Sequence, residues 1–274
     1  ADKVEKLLAI DTTRPYDPTL PVEKAPYPGI RMEHVSFGYQ GREAALRDVS
    51  LEIPKGKVTA LVGLSGSGKS TIASLLMRFY DWEKGRILLE GRDLVSLTPE
   101  ELRRRVILVP QTVSLYSGTI RENLRMAALN ATDEELLEAL DQVRLKEWVL
   151  AQPAGLDTSV GDSGGQRQKI GIARALLCRA EYILFDEATS SVDRDSEQEI
   201  WNCIGELAQT RTLLIISHRL STIRDADVIY VLEKGQVSQR GSHRELMAQP
   251  GLYRRLVEEQ AQLEQQGEEE CCHG

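Results

Sequence analysis

The sequence predicts an α/β fold: a core of parallel strands and helices, an antiparallel β portion ahead of it, and a helical insert. Three observations carry this. Residues Gly63 to Ser70 form a glycine-rich loop between an apolar, partly β-branched run and a segment of helical spacing. Two short apolar runs, Tyr182-Ile183-Leu184-Phe185 and Leu213-Leu214-Ile215-Ile216, have the character of central parallel strands buried on both faces. From residue 117 to about 180 the apolar spacing is helical.

The elements follow in order. Residues 1–10 are expected to be helical, with Val4, Leu7 and Leu8 on one face. Pro15, Pro18, Pro21, Pro26 and Pro28 then exclude regular structure, so 1–29 is expected to be a linker from an upstream region. The domain proper is expected over 30–256. Met32 to Phe37 alternates like an antiparallel strand, Gln40-Gly41-Arg42-Glu43 is a turn, and Leu46 to Ile53 a second strand. Val58 to Val62 is a buried strand entering the loop, and Thr71 to Met77 the helix leaving it. Gly85 to Leu89 and Val106 to Val109 are strands, the first closed by a turn over Glu90-Gly91-Arg92-Asp93. The helical subdomain is expected over about 112–180, with Thr132-Asp133-Glu134-Glu135 as a helix start backed by Leu136, Leu137 and Leu140. Val228 to Val231 and Gln236 to Ser238 form a hairpin around Lys234-Gly235. Residues 243–266 are amphipathic and helical, interrupted at Pro250-Gly251, and 257–274 make an acidic tail.

Composition narrows the function. With 41% hydrophobic and 28% charged residues among 274, the chain reads as a globular protein of one large or two small domains. No stretch approaches the ~20 apolar residues that span a bilayer, and the charged start leads into no secretory signal. A net charge of −8 argues against a nucleic-acid partner. Cys178 and Cys203 sit in apolar helical contexts as buried thiols, while Cys271, Cys272 and His273 belong to an unstructured end rather than a metal site. This usage fits a reducing compartment.

The loop is the centre of the chemistry. Gly63, Gly66 and Gly68 let the backbone curl so that successive N–H groups, with those of Ser65 and Ser67, point inward at one anion. Lys69 adds a charge for the β- and γ-phosphates, the Ser70 hydroxyl is placed for Mg²⁺, and Thr71 opens the helix whose N-terminus lies beneath the phosphates. Ile183-Leu184-Phe185-Asp186-Glu187 is an apolar strand ending in paired carboxylates, Asp186 for Mg²⁺ and Glu187 as general base toward water. Ser163-Gly164-Gly165-Gln166, at another helix start, is a second anion site. One nucleotide seldom needs two such sites, so a head-to-tail dimer is expected in which each Ser-Gly-Gly turn closes on the partner's nucleotide. His218, at the end of the Ile215-Ile216-Ser217 strand, is a candidate for contacting the γ-phosphate and holding the attacking water.

With these segments in this order, residues from about Ile30 to Leu256 resemble the nucleotide-binding domain of ATP-binding cassette (ABC) transporters. The resemblance implies a P-loop NTPase (RecA-like) core with an antiparallel β subdomain and a helical subdomain, and ATP with Mg²⁺ as its ligands. It implies that Tyr39 stacks on adenine, that Gln111 reaches Mg²⁺ and couples to a transmembrane partner, and that Ser191-Val192-Asp193 crosses the dimer interface. Ser163 to Gln166 matches the family signature. Leu115 to Leu124 is similar to a segment of exporter-type members, and the first 29 residues resemble the junction after their last transmembrane helix. Implied partners are a second nucleotide-binding domain, identical or homologous, and transmembrane domains fused upstream or carried by another subunit. The implied place is the cytoplasmic face of a membrane.

The chain departs from the family pattern at one point. Members usually have several glycine-containing residues between Val-Gly-Glu and Leu-Ser-Gly-Gly-Gln, whereas here Val160-Gly161-Asp162 runs directly into Ser163. Either part of the loop is left out of the sequence, or the loop is short and Asp162 brings a carboxylate toward the partner's γ-phosphate, weakening closure. The expected function is an ATP-hydrolysing exporter domain. The rivals are an importer-type subunit and a soluble ABC ATPase acting on DNA or ribosomes; one cassette, no sustained heptads and an acidic balance count against the last.

Overall fold

The computed structural model of the chain describes residues 14–41, 43–161, 163–188, 192, 194–217 and 223–271, with the side chains of 194, 195 and 263–271 left aside. The helix expected at 1–10 and residues 272–274 of the acidic tail lie outside the described residues, while Cys271, expected in an unstructured end, is helical. The chain divides into two compact units, one of residues 1–55, 59–102 and 218–274, the other of residues 56–58 and 103–217.

In the first unit, β1 (Gly29–Gly38), β2 (Ala44–Pro54), β4 (Lys84–Leu89) and β5 (Arg92–Asp93) form an antiparallel sheet ordered β2-β1-β4-β5. Ile30 and Met32 of β1 face inward by alternation, which breaks at an irregularity around His34 (φ 51°) and resumes with Val35 and Phe37; all four pack against Leu46, Val49, Leu51 and Ile53 of β2. Beside it β3 (Val58–Val62) runs parallel to β9 (Val228–Glu233), which turns into antiparallel β10 (Gln236–Gly241). Two turns share one solution: Glu90-Gly91 and Lys234-Gly235 both carry two successive positive φ values, near 49° and 78°, as a two-residue hairpin requires. The first is therefore only two residues long, and Arg92 and Asp93, expected in the turn, already pair with Leu89 and Leu88.

Helix α1 (Lys69–Leu76) leaves β3 through the glycine-rich loop and buries Ile72, Ala73, Leu75 and Leu76, each contributing roughly 1–3 kcal/mol by leaving water. It ends with Arg78 in the left-handed region at φ 53°; the Phe79 and Arg78 amides return to Ser74 and Leu75 carbonyls at 2.9 Å each. This is the two-bond stop usually built on glycine.

Residues 14–28 hold no helix or strand, as their prolines dictate, yet they are strapped to the sheet. The Asp17 amide donates to the Val95 carbonyl and that of Glu23 to Gly91, both at 3.0 Å. Helices α8 (His243–Met247) and α9 (Leu252–Cys271) close the unit, separated at Pro250-Gly251 as expected. α8 starts at a Ser242–Glu245 capping box.

In the second unit β6 (Val106–Val109), β7 (Tyr182–Asp186) and β8 (Thr212–Ile216) run parallel; β8 is buried throughout and β7 up to Asp186, while Ile107 and Leu108 in the middle of β6 are half-buried. Helix α2 (Pro99–Arg105) leads into β6. The helical run expected from 117 is broken into α3 (Ile120–Arg125), α4 (Asp133–Gln142), α5 (Lys146–Leu150) and α6 (Gly164–Leu177). Thr119 and Thr132 open α3 and α4 with capping boxes, and Arg144 closes α4 in a left-handed conformation. Such starts and stops interrupt a continuous apolar period. In α6, Gly171 lets Val113 approach: a Cβ there would lie 2.5 Å from a Val113 methyl. Helix α7 (Arg194–Leu207) precedes β8. No helix of the described residues is long and apolar enough to cross a membrane.

Candidate functional site

In the first unit the loop from Gly63 to Ser70 is shaped by conformations only glycine takes without strain. Gly63, Gly66 and Gly68 have φ of 154°, 77° and 106°. A Cβ on Gly63 would fall 2.3 Å from the Leu232 carbonyl oxygen and 2.7 Å from the Ser67 hydroxyl; one on Gly68 would meet Leu46 and the Ala45 carbonyl at 2.7 and 2.9 Å. The loop thus packs against Ala45, Leu46 and Leu232 of its own unit. Ser65 is exposed and Ser67 buried.

Lys69 is 6% exposed, and its amine donates to the Gly63 and Leu64 carbonyl oxygens at 2.8 and 3.0 Å. The charge is held within the curl. No acid occupies the first turn of α1, so the helix N-terminus keeps its positive character. The Ser67 hydroxyl is buried with no hydrogen-bond partner, a donor in want of an acceptor. This orphaned hydroxyl, the glycine cradle and the buried amine fit a polyphosphate. Ser70, exposed at the second position of α1, offers a hydroxyl and suits the sparse protein ligation typical of phosphate-bound Mg²⁺.

The same unit places Tyr39 next to Thr71, their hydroxyls 3.2 Å apart. The Tyr39 ring meets Phe37 edge-on at 4.9 Å between centroids and Tyr80 edge-on at 5.2 Å. Sequence reasoning passed over Tyr80, although the Arg78-Phe79-Tyr80-Asp81-Trp82 run, aromatic and charged directly after α1, was there to be noticed.

In the second unit β7 delivers Asp186 and Glu187 together. Asp186 ends the strand opposite Ile216; Glu187 then turns left-handed at φ 48°, its amide donating to the Ile216 carbonyl at 2.9 Å. Its carboxylate accepts from the Gln111 side chain at 3.3 Å, so these two predicted residues are brought together. Ser163 is the cap of α6 at φ −61°, ψ 121°, and its side chain makes no capping hydrogen bond. Gly164, Gly165 and Gln166 supply the first turn, which contains no acid. Gly165 is packed so closely on Ser196 that a Cβ would lie 2.6 Å from it. Asp162, Ser191, Asp193 and His218 lie outside the described residues. Two further residues of this unit escaped the sequence reading: Asn123 and Arg174, whose hydrogen bonds fix the segment from Ser114 to Thr119. Of the two thiols expected to be buried, Cys203 is buried and Cys178 only half-buried, and burial pushes each above its ordinary pKa. Among the described residues no cluster of three or more His, Cys, Asp or Glu side chains is arranged to hold a metal.

Comparison with known proteins places this geometry. Residues 46–190 match the family model described as ABC transporter. The chain is 47% identical over 234 residues to the ATP-dependent lipid A-core flippase of Salmonella typhimurium, covering 83% of this chain and 40% of that protein. It is 44% identical over 243 residues to the mitochondrial iron-sulfur clusters transporter ATM1 of Debaryomyces hansenii, covering 86% of this chain and 35% of that one. Among solved structures, a bacterial Atm1-family ABC exporter with ATP bound superposes with a TM-score of 0.83 at 38% identity, over 95% of this chain and 47% of that one. The chain thus spans less than half the length of these relatives.

Proposed function

We propose, because this chain belongs to the ABC transporter family, that it is the ATP-binding and ATP-hydrolysing domain of an exporter, drawing its partner into a head-to-tail dimer around ATP and so driving translocation. The observation that carries the reading is the loop closed on the Lys69 amine at the N-terminus of an acid-free helix. The likeness to an exporter structure supports export over import.

The roles follow from chemistry. The backbone from Gly63 to Lys69, with Ser65 and Ser67, binds the phosphates; Lys69 holds the β- and γ-phosphates; Tyr39 stacks on the adenine; Thr71 supports it. Ser70, Gln111 and Asp186 hold Mg²⁺, which when bound draws negative charge from the phosphate oxygens. Glu187 takes a proton from the attacking water, oriented by Gln111. His218 steadies that water and the γ-phosphate. Ser163, Gly164, Gly165 and Gln166, with Asp193, act on the nucleotide of the partner domain, identical or homologous. Residues 1–29 then connect to transmembrane domains, residues 30–256 form the ATPase domain on the cytoplasmic face, and 257–274 are a tail.

The test is Glu187→Gln. ATP turnover is expected to fall by about 100-fold or more while ATP binding persists; turnover at the parental rate would remove Glu187 as the base.

A further inference from the structure

Behind Tyr39 lies a continuous set of contacts that reaches the proline-rich strap. Tyr80 presents its ring edge-on to Tyr39, at 5.2 Å and 86°, and also meets Phe37 at 5.8 Å. Tyr80 stands in the turn Arg78–Trp82 directly after α1, and that turn is fastened from outside. The Arg14 amide donates to the Asp81 carboxylate at 3.1 Å. The Arg14 guanidinium donates to the Trp82 carbonyl at 2.8 Å and lies over the Trp82 ring, 5.0 Å from its centroid. In return the Arg78 guanidinium donates to the Arg14 carbonyl at 2.5 Å, to Leu94 at 3.3 Å, and pairs with Asp81 at 3.3 Å. Asp81 is 4% exposed at its side chain, Arg78 11%, so these ties are largely shielded from water.

We infer that Tyr80 is a positioning residue for nucleotide binding, holding the Tyr39 ring in its stacking orientation, and that Arg14 of the strap sets Tyr80 through the Arg78–Trp82 turn. The inference rests on the proposed role of Tyr39 as the adenine platform. Without Tyr80 the Tyr39 side chain keeps its Thr71 contact but loses one of its two edge-on neighbours, and must give up rotamer freedom on binding. Arg14→Ala keeps the backbone bonds to Asp81 and from Arg78 but removes the guanidinium from the Trp82 carbonyl and ring, so the brace is weakened. Neither change touches the phosphate cradle, so the effect falls on the base alone.

The experiment measures the affinity of the 274-residue chain for ATP and for inorganic triphosphate, which has no base to stack. Variants are Tyr80→Ala, Tyr80→Phe and Arg14→Ala, with Tyr39→Ala as reference. Tyr80→Ala is expected to weaken ATP about five- to tenfold and leave triphosphate within about twofold; Tyr80→Phe, which keeps the ring edge, restores parental affinity. Arg14→Ala is expected to weaken ATP about two- to threefold, again sparing triphosphate. Equal losses for both ligands would mean damage to the cradle and overturn the inference. So would an unchanged ATP affinity in Tyr80→Ala while Tyr39→Ala weakens it. If Tyr39→Ala itself leaves ATP affinity unchanged, the platform reading fails first and the inference falls with it.

Discussion

The side-chain oxygen of Asn123 accepts a hydrogen bond from the Arg174 guanidinium at 2.6 Å. Arg174 also donates to the carbonyls of Asn123 and Ser114, at 2.8 and 2.9 Å, and burial holds its pKa below the ordinary arginine value. Asn123, 1% exposed, donates in turn to the Tyr116 and Thr119 carbonyls at 3.0 Å each. Asn123→Ala therefore strips an acceptor from a half-buried cation and a donor from two carbonyls. It is expected to lower stability by about 2–4 kcal/mol in urea unfolding. A loss below about 0.5 kcal/mol would show that water replaces the network.

Two glycines of the phosphate loop separate strain from crowding. Gly66→Ala meets nothing within 4 Å, so only its φ of 77° counts, at about 1–2 kcal/mol. Gly68→Ala adds contacts at 2.7 and 2.9 Å to a φ of 106° and is expected to cost about 3 kcal/mol or more. Denaturant midpoints of the two variants check the order; equal costs would mean that the loop yields at Gly68.

The stop of α1 tests two opposed effects at one residue. Arg78→Gly relieves a left-handed arginine, worth about 1 kcal/mol. It also removes the guanidinium from the Arg14 and Leu94 carbonyls and from Asp81, at about 1.5 kcal/mol or more each. The contacts win on these magnitudes, and the thermal midpoint is expected to fall. A rise would show that the strain outweighs them.

The docking of α9 on α8 is expected to depend on pH. The His243 ring meets the Tyr253 hydroxyl at 2.7 Å. Burial, then the nearby Arg224, lowers the His243 pKa from its ordinary 6.5, against a smaller opposing pull from Asp225. The unfolded chain therefore binds this proton more readily, so the contribution is complete above pH 6.5 and is lost as pH falls toward the lower folded value. Burial also pushes the Tyr253 pKa up to about 12, so its phenol stays protonated throughout that window. The thermal midpoint should drop below pH 6.5 in the parent and flatten in His243→Asn; an unaltered slope would acquit His243.

Much of this was legible beforehand where a local rule decides. The parallel strands at 182 and 213, the Lys234-Gly235 hairpin and the Thr132 helix start follow from apolar runs, a turn dipeptide and a capping pattern. Arg78, Arg144 and Arg179 were not legible as helix stops, because a left-handed arginine depends on what its neighbours hold, and propensity points to glycine. The strap's irregular course was legible from its prolines, which forbid a ladder but say nothing of where the Asp17 and Glu23 amides donate. At the candidate site the cradle residues were legible from spacing alone. The aromatic run around Tyr80 was visible, but its pairing with Tyr39 and that of Asn123 with Arg174 were not, since these partners are distant in sequence.

Glu187 sits in a backbone conformation that suits glycine or asparagine better than glutamate. The proposed base therefore stands where stability and turnover would pull in opposite directions. Glu187→Gly should yield a chain about 1 kcal/mol harder to unfold and incapable of turnover. Random substitution under selection for folding alone should drift away from glutamate at this position, and only a requirement for hydrolysis would hold it there.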